Sequence, residues 1–129
     1  MKINQLEFIL YVSNQEKSTK FYETILRQNP SLNVPGMTEF SLNEFVKIGL
    51  MPNEGIAKII TPILPHPTSG NGIPRCELYL QVENIETIFE EAKRAGAIEI
   101  SPIELRDWGD TVGYVADFDG HVIAFATKI

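Results

Sequence analysis

One pattern occurs twice in this chain, about seventy residues apart: Leu6-Glu7-Phe8-Ile9-Leu10-Tyr11-Val12-Ser13-Asn14-Gln15-Glu16 and Cys76-Glu77-Leu78-Tyr79-Leu80-Gln81-Val82-Glu83-Asn84-Ile85-Glu86. Without a gap, Glu7, Leu10, Val12, Asn14 and Glu16 align with Glu77, Leu80, Val82, Asn84 and Glu86. A repeat of this length marks one supersecondary unit used twice, so the chain reads as a tandem of two related modules. A glutamate recurring at the same phase then occupies equivalent places in a pseudo-symmetric structure.

Each copy predicts a strand followed by a helix. From Gln5 to Val12 the residues alternate, with Leu6, Phe8, Leu10 and Val12 on a wholly apolar face and Glu7, Ile9 and Tyr11 on the other. Ser13 or Asn14 offers an N-cap, with Ser13-x-x-Glu16 as a capping box, and Phe21, Tyr22, Ile25 and Leu26 form an apolar stripe at helical spacing. Asn29-Pro30 ends that helix near Gln28. Two short strands follow, Met37 to Leu42 and Phe45 to Met51, joined at Asn43-Glu44. In the second copy a strand from Cys76 to Val82 leads to an N-cap at Asn84 and a helix whose Ile85, Ile88, Phe89 and Ala92 make one face. Gly96 caps its end. Strands Ile98 to Leu105, Thr111 to Asp117 and His121 to Thr127 complete the copy, with Asp119-Gly120 as a two-residue hairpin.

The expected fold class is therefore α+β. Two tandem β-α-β-β-β modules span residues 1–51 and 75–129 of a single domain, joined by a connection at 52–74 that is punctuated by Pro and Gly. Within that connection Ile56 to Ile60 is an ordered piece of either kind. Helices cover one face of largely antiparallel sheets and leave Glu7, Tyr11, Glu77, Tyr79 and Gln81 on the other.

Composition removes several function classes. With seventeen acidic against eleven basic side chains, the net charge of −6 repels phosphate backbones and anionic lipid, which argues against nucleic acid as a partner. No apolar run is long enough to span a bilayer and no signal peptide is read, so the expectation is a soluble, cytoplasmic protein. Cys76, the single cysteine, excludes an intrachain disulfide. Its phase with Leu78 and Leu80 predicts a buried, inert thiol. There is neither a phosphate loop with its lysine nor a nucleophile elbow. His66 falls in the connection and His121 beside the last hairpin, both read as turn or surface residues. Asp117-x-Asp119-Gly120 lacks the later ligands of a calcium loop.

In order and spacing, several segments together resemble the vicinal oxygen chelate superfamily, the glyoxalase, bleomycin-resistance and extradiol-dioxygenase group. They are Leu10 to Asn14 with Ser18 and Phe21-Tyr22, Glu77 to Glu83 with Ala95-Gly96-Ala97, Trp108-Gly109, and Asp117-Phe118-Asp119-Gly120-His121. Proline is usual in that group at the position of Phe118. The resemblance implies paired modules curling around a cavity, often completed in a homodimer. In its metal-dependent members a divalent ion is held from the first and last strand of each module, at positions that correspond here to Glu7, Gly49, Glu77 and Ala124. Glycine and alanine have no donor atom, so the expectation is that no catalytic metal is bound, with only a weakly held hard ion left open.

Three readings of the two glutamates follow. In one, the cavity binds a small organic ligand, cationic or aromatic, as in relatives that sequester bleomycin-like antibiotics. Its lining would be Glu7, Tyr11, Gly49, Met51, Glu77, Tyr79, Trp108 and Ala124, with room left by the small Gly49 and Ala124. In another, Glu7 or Glu77 is the general base of a lyase or isomerase, with Lys47, Arg75, Arg106 or a tyrosine hydroxyl as the only electrophiles in view. In the third, Glu7 and Glu77 merely pair with each other through a shared proton, or with an arginine.

Overall fold

The computed structural model describes residues 1–128, and their contacts divide the chain into two compact units, Met1–Asn71 and a second that begins at Gly72. The first contains β1 (Leu6–Val12), α1 (Gln15–Leu26), β2 (Leu32–Val34), β3 (Met37–Ser41), β4 (Val46–Pro52) and α2 (Asn53–Ile60), followed by a short 3-10 turn at Pro67–Gly70. The second contains β5 (Glu77–Gln81), α3 (Ile85–Arg94), β6 (Ile98–Leu105), β7 (Asp110–Ala116) and β8 (Val122–Lys128). Strand orders are β1-β4-β3-β2 and β5-β8-β7-β6, one topology used twice. No helix among the described residues is long and apolar enough to cross a membrane.

In each sheet two of the three strand pairings are antiparallel, as expected, and one is parallel. In each, the first strand pairs in parallel with the last strand of its module, β1 with β4 and β5 with β8. The helical crossover and two hairpin reversals leave the last strand running the same way as the first. The connection, undecided from sequence over Ile56 to Ile60, forms α2, which packs on β4 and β1.

In the first unit α1 packs against β3 and β4 and buries Phe21, Tyr22 and Ile25 against Phe40, Ile48 and Leu50. Leu10 and Val12 join this core, but Leu6 and Phe8 at the start of the edge strand stay exposed, so only half of the apolar face of β1 is covered. The N-cap is Asn14, whose side chain accepts from the Lys17 amide at 3.0 Å, and not the Ser13 box. A polar seam crosses the same layer. Thr38, fully buried, exchanges hydrogen bonds with Thr19 at 3.0 Å, Asn33 at 3.1 Å and Gln15 at 2.9 Å, which removes the cost of burying its hydroxyl.

In the second unit α3 lies on β6, β7 and β8 with Phe89 at its centre. Asn84 adopts a left-handed φ of 56° and makes no side-chain cap bond, contrary to the capping expectation. The other end does follow the sequence: the amides of Gly96 and Ala97 return to Lys93 and Ala92, each at 3.0 Å, with Gly96 at φ 117°. The last hairpin has three residues in its turn rather than two, Asp117 N–H bonding His121 O at 3.0 Å and Gly120 taking φ 85°. Cys76 lies before β5 and is exposed, so the buried thiol is not found.

Gly113 in β7 makes the packing of α3 possible: a β-carbon there would lie 2.6 Å from Phe89 Cε1 and 2.8 Å from Ile103 Cγ1. Gly113→Ala should therefore destabilise the protein by roughly 1–3 kcal/mol. Gly55→Ala in α2, where no atom lies within 4 Å of the added carbon, should stabilise it by about 0.5–1 kcal/mol. Urea unfolding of the two variants checks the pair of signs.

Candidate functional site

On the first sheet the residues that point away from α1 come together by register. Glu7 faces Lys47, Ile9 faces Gly49 and Tyr11 faces Met51 across the parallel pair, while Glu39 of β3 faces Gly49 from the other side. Of the sequence-predicted residues, this unit thus gathers Glu7, Tyr11, Gly49 and Met51 on one surface.

The carboxyl of Glu7 folds back over Gly49. A β-carbon on Gly49 would lie 2.5 Å from Glu7 Oε2 and 3.3 Å from Ile9 Cγ1, so the room expected at Gly49 is taken by Glu7 itself. Oε2 is buried there with no hydrogen-bond partner. Glu39 lies beside Glu7 across Gly49, and its Oε1 accepts from Lys47 Nζ at 3.4 Å. A buried oxygen without a partner costs less on a neutral acid than on an anion, and a neighbouring carboxylate disfavours a second charge, so the surroundings favour the protonated form of Glu7. Burial first, and then the hydrogen bond and charge of Glu39, raise the Glu7 carboxyl above its ordinary value of 4.5, against the weaker opposing pull of Lys47.

The carboxyl neighbour of Glu7 is therefore Glu39, which sequence reading passed over. The signal was present in the alternation of β3, but it depended on register. A two-residue turn at Asn43-Glu44 would place Glu39 opposite Ile48, on the helix side. In the structure Phe45 belongs to the turn, Asn43 Oδ1 accepts from the Phe45 and Val46 amides, and the one-residue slip brings Glu39 to Gly49.

The second sheet carries different chemistry at the equivalent places. Glu77 is exposed, opposite Val122, and forms no comparable carboxyl pair within its unit among the described residues. Tyr79 faces Ala124, and Ala124 faces Tyr114. Ala124 is fully buried in a cluster with Val112 and Ala126 against which Tyr114 packs, so it is not an open position. Trp108, in the turn between β6 and β7, donates from Nε1 to Tyr79 Oη at 2.8 Å, and Tyr79 donates to Asp110 Oδ2 at 2.6 Å. Asp110 was not foreseen.

Two of the candidate electrophiles, Arg106 and Lys47, are engaged by other groups. Arg106 donates to Val112 O, Pro102 O and Ser101 Oγ and stacks on Tyr114 at 5.1 Å, which fixes the β6–β7 hairpin. Lys47 is held by Glu39. Asp117, Asp119 and His121 bring ligand-type atoms within 4.8 Å of one another. However, Asp117 Oδ1 accepts the Asp119 and His121 amides, and Oδ2 meets His121 Nδ1 at 2.8 Å. Burial lowers the His121 pKa, but the hydrogen bond and charge of Asp117 outweigh it, and the net shift is upward. That favours imidazolium, which is no ligand.

The donor set at the four positions where the fold family implies a metal does not fit one. Gly49 and Ala124 lack donor atoms, the Gly49 cradle is filled by the Glu7 side chain, and Glu7 Oε2 is buried.

The sequence profile of the family described as Glyoxalase-like domain matches residues 6–129. An uncharacterized protein of Mycobacterium bovis is 28% identical over 115 residues, covering 87% of this chain and 75% of its own length. Among solved structures, a glyoxalase-related enzyme from Fulvimarina pelagi superimposes with a TM-score of 0.80 at 21% identity, over 95% of this chain and 86% of its own. A glyoxalase/bleomycin resistance protein/dioxygenase from Nocardioides gives 0.74 at 20% identity, over 100% of this chain and 84% of its own.

The Glu7 arrangement has a stability signature. A carboxyl with a raised folded pKa binds its proton more tightly in the native state, so stability is greatest at low pH and falls as pH rises from about 4.5 through the raised value. Glu7→Gln, which keeps a donor toward Glu39, should flatten that decline and leave the protein at least as stable at neutral pH. Gly49→Ala should cost roughly 1–3 kcal/mol by expelling the carboxyl. Chemical denaturation across pH measures both.

Proposed function

Because the chain belongs to the glyoxalase-like family of the vicinal oxygen chelate superfamily, we propose that it binds a small, partly aromatic organic molecule, and that it holds this ligand without a catalytic metal. The observation that carries the reading is the Glu7–Glu39 carboxyl pair closed over Gly49. At the position where a metal enzyme of this superfamily has a ligand, this chain has a glutamate folded into a glycine cradle, its pKa raised by burial and by Glu39. The residues that share its face of the first sheet, Ile9, Tyr11 and Met51, suit recognition, and the second unit carries an aromatic pair of its own, Tyr79 and Trp108. Sequestration of an antibiotic of the bleomycin kind is one form that such binding would take.

A second reading rests on the same carboxyl. A glutamate whose pKa is raised by burial and by a like-charged neighbour is also how a general base is tuned toward neutrality, as a lyase or isomerase would require. Against it stands the engagement of Lys47 by Glu39 and of Arg106 by its own hairpin. The homodimer implied by the family belongs to the proposal as well. Leu6 and Phe8 on the edge strand β1, with Phe45 beside it, leave apolar side chains exposed in the first unit.

Trp108 is the only tryptophan, so its fluorescence reports ligand directly. The unfolding temperature of protein treated with a chelator should be unchanged by millimolar zinc, manganese or magnesium, and bleomycin or a neutral aromatic probe such as naphthol should change the fluorescence saturably. Stabilisation by a metal of several degrees, as mass action demands for tight binding, would overturn the metal-free reading and favour the enzyme.

A further inference from the structure

We propose that Trp108, Tyr79 and Asp110 form a recognition site for an organic cation that carries a planar ring. This deepens the small-molecule reading above and rests on it. The three residues come from separate places: Tyr79 from β5, Asp110 from the start of β7, and Trp108 from the turn that precedes it. They form one hydrogen-bonded chain, indole to phenol at 2.8 Å and phenol to carboxylate at 2.6 Å. The turn itself is held from below. Arg106 N–H bonds Asp110 O at 2.8 Å, Gly109 N–H returns to Arg106 O at 3.0 Å with Gly109 at φ 97°, and the Arg106 guanidinium ties the hairpin to Val112, Pro102 and Ser101.

The direction of these bonds decides what the cluster can recognise. Trp108 spends its only polar hydrogen on Tyr79, and Tyr79 spends its own on Asp110. No donor is left to meet an incoming anion. What remains on offer is the face of an indole that is 58% exposed, a half-exposed phenol and a carboxylate, each of them a negative electrostatic feature. Asp110 has no ion-pair partner among the described residues. Lys128 faces it in register on β8 without forming an ion pair, and Arg106 pairs with Glu104. Asp107 is exposed in the same turn and adds to the negative field.

The chain could instead serve only to pin the hairpin, and charge-matched probes separate the two roles. Benzyltrimethylammonium, benzyl alcohol and benzoate share one ring and differ in charge. Binding is read from the single indole N–H resonance of the full-length protein. The ammonium probe should bind roughly tenfold tighter than the alcohol, the scale of a cation–π contact with a counter-charge, and benzoate should bind weakest. Asp110→Asn keeps an oxygen to accept from Tyr79, so the fold should survive while the ammonium falls to the level of the alcohol. Lys128→Met should strengthen the ammonium. Thermal unfolding of each variant verifies that it is folded. Equal binding of ammonium and alcohol, or an ammonium preference that survives Asp110→Asn, overturns this site while leaving the small-molecule reading in place. Failure of all three benzyl probes, with naphthol and bleomycin still binding, also overturns it, and failure of every probe overturns both.

Discussion

The parallel pairing of the first strand of each module with its last determines what every other part of the structure can do. In the first unit it sets Glu7 beside Lys47 and Ile9 beside Gly49, and the antiparallel return of β3 then brings Glu39 to the same spot. One slip in either ladder would send these carboxyls to opposite faces, because side chains alternate along a strand. The buried core on the helix side enforces that register. Phe40, Ile48 and Leu50 reach α1 only when Glu39, Lys47 and Gly49 face away from it. Packing on one face thus places the chemistry on the other.

The two units share topology but not chemistry. At matched positions the first presents a half-buried glutamate with its Oε2 in a glycine cradle, and the second an exposed glutamate beside a small apolar cluster of Val112, Ala124 and Ala126. Two copies of one fold are free to diverge in this way, because strand order and helix packing depend on the apolar face alone. The helix side conserves its logic in both units, an aromatic from the helix seated over the central strands, with Phe21 and Tyr22 in one and Phe89 in the other.

Charge state separates the functional readings more sharply than residue identity does. A pair of ionised glutamates would invite a cation or a metal, whereas a carboxyl pair whose surroundings favour the protonated form of one acid, beside a lysine, carries less negative charge. The negative feature without a cation partner lies instead in the second unit, where Asp110 is fixed by Tyr79 and flanked by Trp108. Recognition in this chain thus follows from hydrogen-bond direction as much as from residue type.

Much of the fold was legible in the sequence, because it rests on local and repeated patterns. Alternation located most of the strands, the apolar stripes located α1 and α3, Gly96 marked a helix end, and the in-phase repeat predicted two modules of one topology. The brief β2 was missed, and the connection stayed undecided until α2 packed on β1 and β4. Phase and resemblance singled out Glu7, Tyr11, Gly49, Met51, Glu77, Tyr79, Trp108 and Ala124 as candidates, but not the side chains that Glu7 and Tyr79 meet. Glu39 and Asp110 escaped, since each meets its partner only across strands, through a turn one residue longer than expected or a contact spanning 31 positions. The apolar periodicity by itself determined the architecture. Only the tertiary structure decided that Gly49 is filled rather than vacant and that burial and Glu39 raise the Glu7 pKa, because cross-strand register and desolvation are not properties of any local segment.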